Sequence, residues 1–158
     1  MSKINKNEKN IENDDWTTPY WVWQLITKYI PKDKIIWEPF YNDGKSGEYL
    51  TDLGYNVIHK DIDFFDNNLG DWIVSNPPFS KKKYILTQLL KLNKPFMMLL
   101  PLDTIDRMYF SKLFKDKMDD ITLFFLPKRI DFIGNGNVYR ISTCFIGYKV
   151  NDKSFIYL

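Results

Sequence analysis

The sequence predicts an α/β fold with a mostly parallel sheet, and three observations support this prediction. Short apolar runs, of the kind buried on both faces of parallel sheets, alternate along the chain with segments whose apolar residues recur at helical spacing. Strands that alternate with helices normally pair in parallel through right-handed crossovers. Near the C-terminus, the apolar runs at 121–126 and 142–148 look like an antiparallel pair that closes the sheet.

The first predicted helix begins at Thr18-Pro19, which reads as an N-cap followed by proline at the first helical position. It should run to about Tyr29, because Pro31 ends it. Ser80 is the expected cap of a later helix. The other expected helices cover 46–53, 81–92 and 104–114, and the expected strands cover 34–40, 55–59, 71–75 and 96–100.

Length and composition predict a single domain. The chain has 158 residues, and residues 15–158 should form one unit behind a flexible polar arm, residues 1–14. Only nine residues separate Asp66 from Asn76, so the usual third strand of such sheets should be short or missing. The single cysteine, Cys144, fits an intracellular, reducing setting such as the cytoplasm. No apolar run approaches the roughly 20 residues of a membrane span, so we expect no membrane partner.

Charge is distributed unevenly along the chain. Residues 1–78 hold 8 basic and 13 acidic side chains, whereas residues 79–158 hold 14 and 7. An acidic half suits a cofactor that carries positive charge, and a basic half suits a polyanion. Ordinary solvated charge is the alternative, and charge alone does not decide between them.

The most informative motif is Asn76-Pro77-Pro78-Phe79, which directly follows the third apolar run. Prolines end the strand but keep their carbonyl acceptors. An aromatic amine is a poor nucleophile, because its lone pair is delocalised into the ring. The Asn76 side-chain oxygen and the Pro77 carbonyl could accept its two N–H groups and localise that lone pair. Phe79 could stack on the base.

This tetrapeptide resembles the catalytic motif of class I S-adenosylmethionine-dependent amino-methyltransferases. That group includes adenine-N6 DNA methyltransferases and some rRNA and protein-glutamine methyltransferases. The stretch Asp15-Trp16-Thr17-Thr18-Pro19 is similar to the N-terminal motif of Dam-type phage and viral adenine methyltransferases. The resemblance covers residues 15 to 148. It implies a Rossmann-like class I methyltransferase fold, S-adenosylmethionine as cofactor, and contact of the methionine end with Trp16, Thr18 and Pro19.

Two further segments predict the rest of the cofactor site. Glu38-Pro39-Phe40 closes the first strand and is followed by Gly44 and Gly47, which permit close approach of the backbone to a ligand. The resemblance implies that this acidic residue or its neighbours lie near the methionine amino group. Asn42 stands where a glycine is usual, and asparagine tolerates left-handed backbone better than most residues.

The second segment follows the second predicted strand. Asp61 lies 23 residues beyond Glu38, close to the spacing of a ribose-binding carboxylate in sheets of this type. Asp63-Phe64 resembles the adenine-binding pair of the family. These three residues could also be ordinary loop carboxylates and a core phenylalanine.

Basic residues surround the motif. Lys81, Lys82 and Lys83 open the helix after the motif, where cations oppose the helix dipole, so an external anion such as backbone phosphate is one explanation. A solvated face is the other. Further basic residues flank the proposed C-terminal pair and could extend the track: Lys128, Arg129 and Arg140.

The leading hypothesis is methylation of adenine N6 in DNA. The first alternative is an RNA adenine or protein-glutamine substrate. The second is a catalytically silent nucleic-acid-binding subunit, which Asn42 in the cofactor loop keeps open. No separate target-recognition domain is evident, so site preference should come from loops, the 1–14 arm or a protein partner. No metal is expected. Cys144 has no Pro-Cys dipeptide beside it, which argues against cytosine-C5 chemistry.

Overall fold

The computed structural model describes residues 16–134 and 137–158. Four α-helices lie within these ranges, namely α1 (Tyr20–Ile26), α2 (Lys45–Asp52), α3 (Lys82–Leu92) and α4 (Met108–Phe114). The strands are β1 (Ile35–Trp37), β2 (Asn56–Ile58), β3 (Trp72–Ser75), β4 (Phe96–Pro101), β5 (Ile121–Phe125), β6 (Ile130–Gly134), β7 (Asn137–Ile141), β8 (Thr143–Tyr148) and β9 (Phe155–Tyr157). The expected 1–14 arm and Asp15 lie outside the described residues.

Seven strands form one sheet in the order β2-β1-β3-β4-β8-β5-β9. Strands β2, β1, β3 and β4 are parallel, and β8 lies antiparallel between β4 and β5. The predicted mostly parallel sheet with a closing antiparallel pair is therefore confirmed. Within the described ranges no strand flanks β2 on its outer side, so the usual third strand is missing, as expected.

The sheet is buried on both faces. Neighbouring side chains of one strand belong to different apolar clusters: Ile36 packs on one face of the sheet and Trp37 on the other. Both side chains are fully buried. This accounts for the continuous apolar runs seen in the sequence, since a strand covered on both sides needs no polar face. No helix in the described part of the chain is long and apolar enough to cross a membrane.

Two predicted helix caps are wrong. Pro19, rather than Thr18, occupies the N-cap position of α1, and the Thr18 hydroxyl instead accepts a hydrogen bond from Asn76. Ser80 lies inside a 3-10 turn, Phe79–Lys81, and Lys81 occupies the N-cap position of α3. A long-range hydrogen bond from the half-buried Asn76 thus takes the place of local capping at Thr18.

Sequence reasoning missed the β6–β7 hairpin and strand β9. The hairpin forms its own two-stranded antiparallel sheet beside the main one. Its last pair, Gly134 with Asn137, is joined in sequence by Asn135-Gly136, a dipeptide strongly preferred in two-residue hairpin connections. Strand β9 pairs in parallel with β5 at the edge of the main sheet.

Candidate active site

A cavity of about 620 Å³ opens beside the carboxyl ends of β1, β2 and β3. Ligands of open α/β sheets bind at this edge, and the volume is within the usual range for small-molecule sites. Of the residues singled out from the sequence, the cavity brings together Pro39, Phe40, Asn42, Asp61, Asp63, Phe64, Asn76, Pro78 and Lys81. Sequence reasoning missed other lining residues, including Tyr41, Phe65 and Ile85.

The amide of Asn76 is held by one hydrogen bond and leaves one oxygen unpaired. Its Nδ2 donates to Thr18 Oγ1 at 2.8 Å, and Thr18 is almost fully buried. Among the residues that the structure describes, the buried Oδ1 of Asn76 has no hydrogen-bond partner. A buried polar atom without a partner costs roughly 1–3 kcal/mol. The Nδ2 bond therefore orients the amide, and its oxygen keeps an unused acceptor capacity in a residue that lines the cavity.

A second buried network ties β1 to β3 beneath the cavity. Glu38 Oε1 accepts hydrogen bonds from Ser75 Oγ at 2.5 Å and from the Phe40 amide at 2.9 Å. Burial raises the pKa of Glu38 to about 8, although both hydrogen bonds favour the charged form. Glu38 does not line the cavity, so it holds the ends of two strands together at the site.

The loop between β1 and α2 depends on unusual backbone angles. Asn42 has φ +49° and Gly44 has φ +81°, so asparagine adopts the left-handed backbone expected of it. Gly44 occupies the N-cap position of α2 and does not line the cavity. At Gly47, a Cβ would meet the His59 ring at 1.9 Å, so glycine allows α2 to pack closely on the residue after β2.

Acidic and aromatic groups after β2 form another wall of the cavity. Asp61 and Asp63 are exposed, and the Asp63 carboxylate accepts a hydrogen bond from the Phe65 amide at 2.7 Å. Phe64 is buried against Phe40, with ring centroids 5.0 Å apart. Phe65 is 43% exposed, so it offers more open ring surface than Phe64. These carboxylates and rings fit a nucleoside, whose hydroxyl and amino groups donate and whose base stacks.

Trp16 and Phe79 lie against the hairpin rather than in the cavity. The Trp16 ring stacks on Tyr139 at 5.0 Å and meets the edge of Phe79 at 5.8 Å. Phe79 also contacts Phe132 edge-on at 6.2 Å. Pro77 is buried and, like Trp16, Thr18 and Pro19, does not line the cavity. The motif therefore bridges the cavity and an aromatic cluster under the hairpin.

The basic residues divide into two groups. Lys81 lines the cavity, while Lys82 and Lys83 begin α3. The other three basic residues lie along the chain between the two strands of the C-terminal pair, β5 and β8, as the sequence suggested: Lys128 and Arg129 lead into β6, and Arg140 lies on β7. They line a second depression of about 370 Å³ together with Pro19, Trp21 and Asp131.

Two of the cations in this second group already have partners within the protein. Arg140 Nε donates to Asp131 Oδ1 at 2.8 Å across the hairpin, and the Arg140 guanidinium lowers the pKa of Asp131. Lys128 Nζ lies over the Trp21 ring, 5.0 Å from its centroid. Within the described residues we find no cluster of three or more side chains suited to hold a metal ion.

The sheet order and the cavity at its carboxyl edge define a Rossmann-like class I methyltransferase fold. Solved chains similar to it in fold include three from type I restriction-modification systems or putative ones. A chain from a study of complex assembly and conformational transition of the type I R-M system matches with a TM-score of 0.58 and 14% identity, over 96% of this chain and 46% of that chain. The methyltransferase subunit from Streptococcus thermophilus matches with a TM-score of 0.51 and 13% identity, over 90% and 47%.

A modification subunit from Vibrio vulnificus YJ016 matches with a TM-score of 0.52 and 11% identity, over 85% of this chain and 45% of that chain. The present chain thus spans about half the length of these chains. At such identities the likeness shows the fold alone. No family model matches the chain, and no curated protein matches it.

Proposed function

We propose that the protein is an S-adenosylmethionine-dependent methyltransferase that acts on adenine N6 in DNA. The observation that carries the proposal is the Asn76 amide, whose nitrogen is bound by Thr18 and whose buried oxygen has no partner in the described chain. Its motif resembles that of amino-methyltransferases, and the upstream Trp16 to Pro19 stretch resembles Dam-type enzymes. The fold matches supply an argument by analogy in the same direction.

The cofactor site is the cavity beside β1, β2 and β3. Asp61 is proposed to bind the ribose hydroxyls and Asp63 the adenine amine, with Phe64 and Phe65 against the ring. Glu38, Pro39, Phe40 and Gly44 shape the loop near the methionine end. When bound, S-adenosylmethionine supplies an electrophilic methyl group on a positively charged sulfur.

The protein's own contribution is positioning and electrostatics. Asn76 Oδ1 and the Pro77 carbonyl accept the two N–H groups of the target amine, which localises the lone pair and directs it toward the cofactor. Pro78 stiffens the turn and Phe79 contacts the base. Methyl transfer would exchange the methyl–sulfur bond for an N–C bond, and the amine would release one proton to solvent, so no covalent enzyme intermediate is needed.

DNA is the proposed substrate because cations lie on the motif's side of the site. Lys81, Lys82 and Lys83 are proposed to meet backbone phosphates, and Lys128, Arg129 and Arg140 are proposed to extend the track. Residues 15–158 are proposed to form one catalytic domain that acts inside the cell. We further propose that a protein partner or the loops around the site supply target recognition.

The decisive experiment incubates the protein with methyl-labelled S-adenosylmethionine and with duplex DNA, single-stranded DNA, RNA and protein. Label in N6-methyladenine from DNA supports the proposal. Label in RNA or in protein glutamine supports the first alternative. Cofactor binding by calorimetry without label in any substrate supports a silent binding subunit and contradicts the proposal.

A further inference from the structure

The loop between β1 and α2 is bonded through two of its side chains to the segment just before α1, residues 16–18. Asn42 Nδ2 donates a hydrogen bond to the Trp16 carbonyl at 3.4 Å. Asp43 Oδ2 accepts a hydrogen bond from the Thr17 hydroxyl at 2.5 Å. Glycine, which is usual at position 42, could not make the first of these bonds because it has no side chain. The departure from the usual loop pattern therefore comes with a contact of its own.

Asn42 depends on such support, because its backbone is left-handed, with φ +49°. A residue other than glycine keeps this conformation when the surrounding contacts hold it there. Asn42 also lines the cavity, so a change in its backbone would move a wall of the proposed cofactor site. Asp43 braces the loop from the next position, since its Oδ1 accepts from the Lys45 amide at 3.0 Å while its Oδ2 bonds to Thr17. One carboxylate thus ties the loop to both α2 and the 16–18 segment.

The contact of the 16–18 segment with the motif is separate from its contact with the loop. Thr18 is almost fully buried and accepts the hydrogen bond from Asn76, whereas Thr17 is half-buried and Asp43 is exposed. The Thr17 amide donates to the Ile133 carbonyl at 3.0 Å, which holds the backbone of the segment even without the Thr17 hydroxyl. Loss of the bond between Thr17 and Asp43 should therefore release the loop and leave the buried contact at Asn76 intact.

We propose that Asp43 is a positioning residue for S-adenosylmethionine, which holds the left-handed loop at Asn42 against the 16–18 segment and so keeps the cavity in its binding shape. This inference rests on the proposed function and adds to it a residue that sets cofactor affinity without touching the cofactor. Asp43 does not line the cavity, so its effect reaches the cofactor through Asn42. The same contacts explain how asparagine can replace the usual glycine in a working cofactor loop.

The test measures affinity for S-adenosylmethionine by calorimetry on the full chain and its variants. Asp43→Ala removes both carboxylate contacts, and Thr17→Val removes only the hydroxyl. Asp43→Asn removes the negative charge but can keep both contacts, because its amide oxygen accepts from Lys45 and its amide nitrogen donates to the Thr17 oxygen. The control is Asp52→Ala, because Asp52 is exposed at the other end of α2 and does not line the cavity.

Asp43→Ala and Thr17→Val should each weaken cofactor binding about fivefold, while Asp43→Asn and the Asp52 control should stay within about twofold of wild type. With the cofactor at saturating concentration, the transfer rate of every variant should also stay within about twofold of wild type, because only binding is affected. This split between affinity and rate is the reverse of the one expected for Asn76, which contacts the target amine.

A second pair of variants isolates the support of the left-handed backbone. Glycine adopts this backbone without steric cost, so in an Asn42→Gly background Asp43→Ala should weaken cofactor binding by less than about twofold. An undiminished loss in that background would overturn the proposal and leave the proposed function intact. So would an Asp43→Ala affinity equal to that of the Asp52 control, or an equal loss in Asp43→Asn, which would assign the effect to charge. A wild type that binds no S-adenosylmethionine removes the proposed function and this inference together.

Discussion

The two sides of the candidate site are built in opposite ways. On the sheet side, Glu38, Ser75 and Thr18 are buried, and each makes a hydrogen bond to another buried or half-buried group. On the hairpin side, Arg140 and its partner Asp131 are more than half exposed. Buried networks fix geometry, whereas exposed charges meet a large, hydrated polyanion. We infer that the sheet side carries the chemistry and the hairpin side carries the nucleic acid.

The largest effect should come from Asn76→Ala. Removal of the acceptor should lower the transfer rate by about 100-fold or more, as for other preorganised electrostatic groups. Affinity for S-adenosylmethionine, measured by calorimetry, should change little. Asn76→Asp keeps an acceptor oxygen at the same place and should retain more activity than the alanine variant. An alanine variant with most of its turnover would refute the role of Asn76.

Next in size is Asp61→Ala, which addresses the cofactor side. Loss of a hydrogen bond to a charged group should weaken S-adenosylmethionine binding by roughly 1.5–3 kcal/mol. Asp66→Ala is the matched control, because Asp66 is exposed in the same segment but does not line the cavity. Equal affinities for the two variants would place the ribose contact elsewhere.

Thr18→Val tests whether orientation of the Asn76 amide matters. The variant cannot accept the hydrogen bond from Nδ2, so the amide should turn more freely and the transfer rate should fall about tenfold, the equivalent of about 1.4 kcal/mol. Thr18→Ser should restore the rate. Thr17→Val is the control, because its hydroxyl bonds to Asp43 rather than to Asn76. A valine variant as active as wild type would reduce Thr18 to a packing role.

Glu38→Gln tests whether Glu38 is buried in its neutral form, and the measured quantity is the pH dependence of folding stability. The pKa of Glu38 is raised from 4.5 to about 8 in the folded chain, so the folded state keeps a proton that the unfolded state releases between these values. Wild-type stability should therefore fall as pH rises through this window, by up to about 1.4 kcal/mol per pH unit. The glutamine variant should lack this fall. Denaturant midpoints that run parallel from pH 5 to pH 9 would contradict the burial of a neutral Glu38.

The smallest and most specific effect concerns the lysines at the start of α3. Replacement of Lys81, Lys82 and Lys83 with glutamine should weaken DNA binding at low salt. It should also flatten the dependence of log affinity on log salt by up to about 0.9 for each duplex phosphate that the variant no longer neutralises. Affinity for the cofactor should barely change. Lines of equal slope for wild type and variant would remove the lysines from the DNA track and favour a protein substrate.

The sequence predicted what local patterns determine. Apolar runs mark the buried strands, and Asn76-Pro77-Pro78-Phe79 stands out because prolines stop a strand at its carboxyl end. The alternation around Asn135-Gly136 held a hairpin signal that sequence reasoning missed. The pairing of Thr18 with Asn76 joins residues 58 positions apart, so no local pattern contains it. The same holds for Glu38 and Ser75, which become neighbours only when β1 and β3 pair.

The most direct test of the division between the two sides measures single-turnover methyl transfer and DNA affinity on the same three proteins: wild type, Asn76→Ala, and the triple glutamine variant of residues 81–83. With DNA at saturating concentration and low salt, Asn76→Ala should bind DNA like wild type and transfer at least about 100-fold more slowly. The triple variant should bind more weakly and, once saturated, transfer at the wild-type rate. A triple variant that stays slow at saturation, or an Asn76 variant that loses DNA affinity in proportion to its rate, would contradict the account.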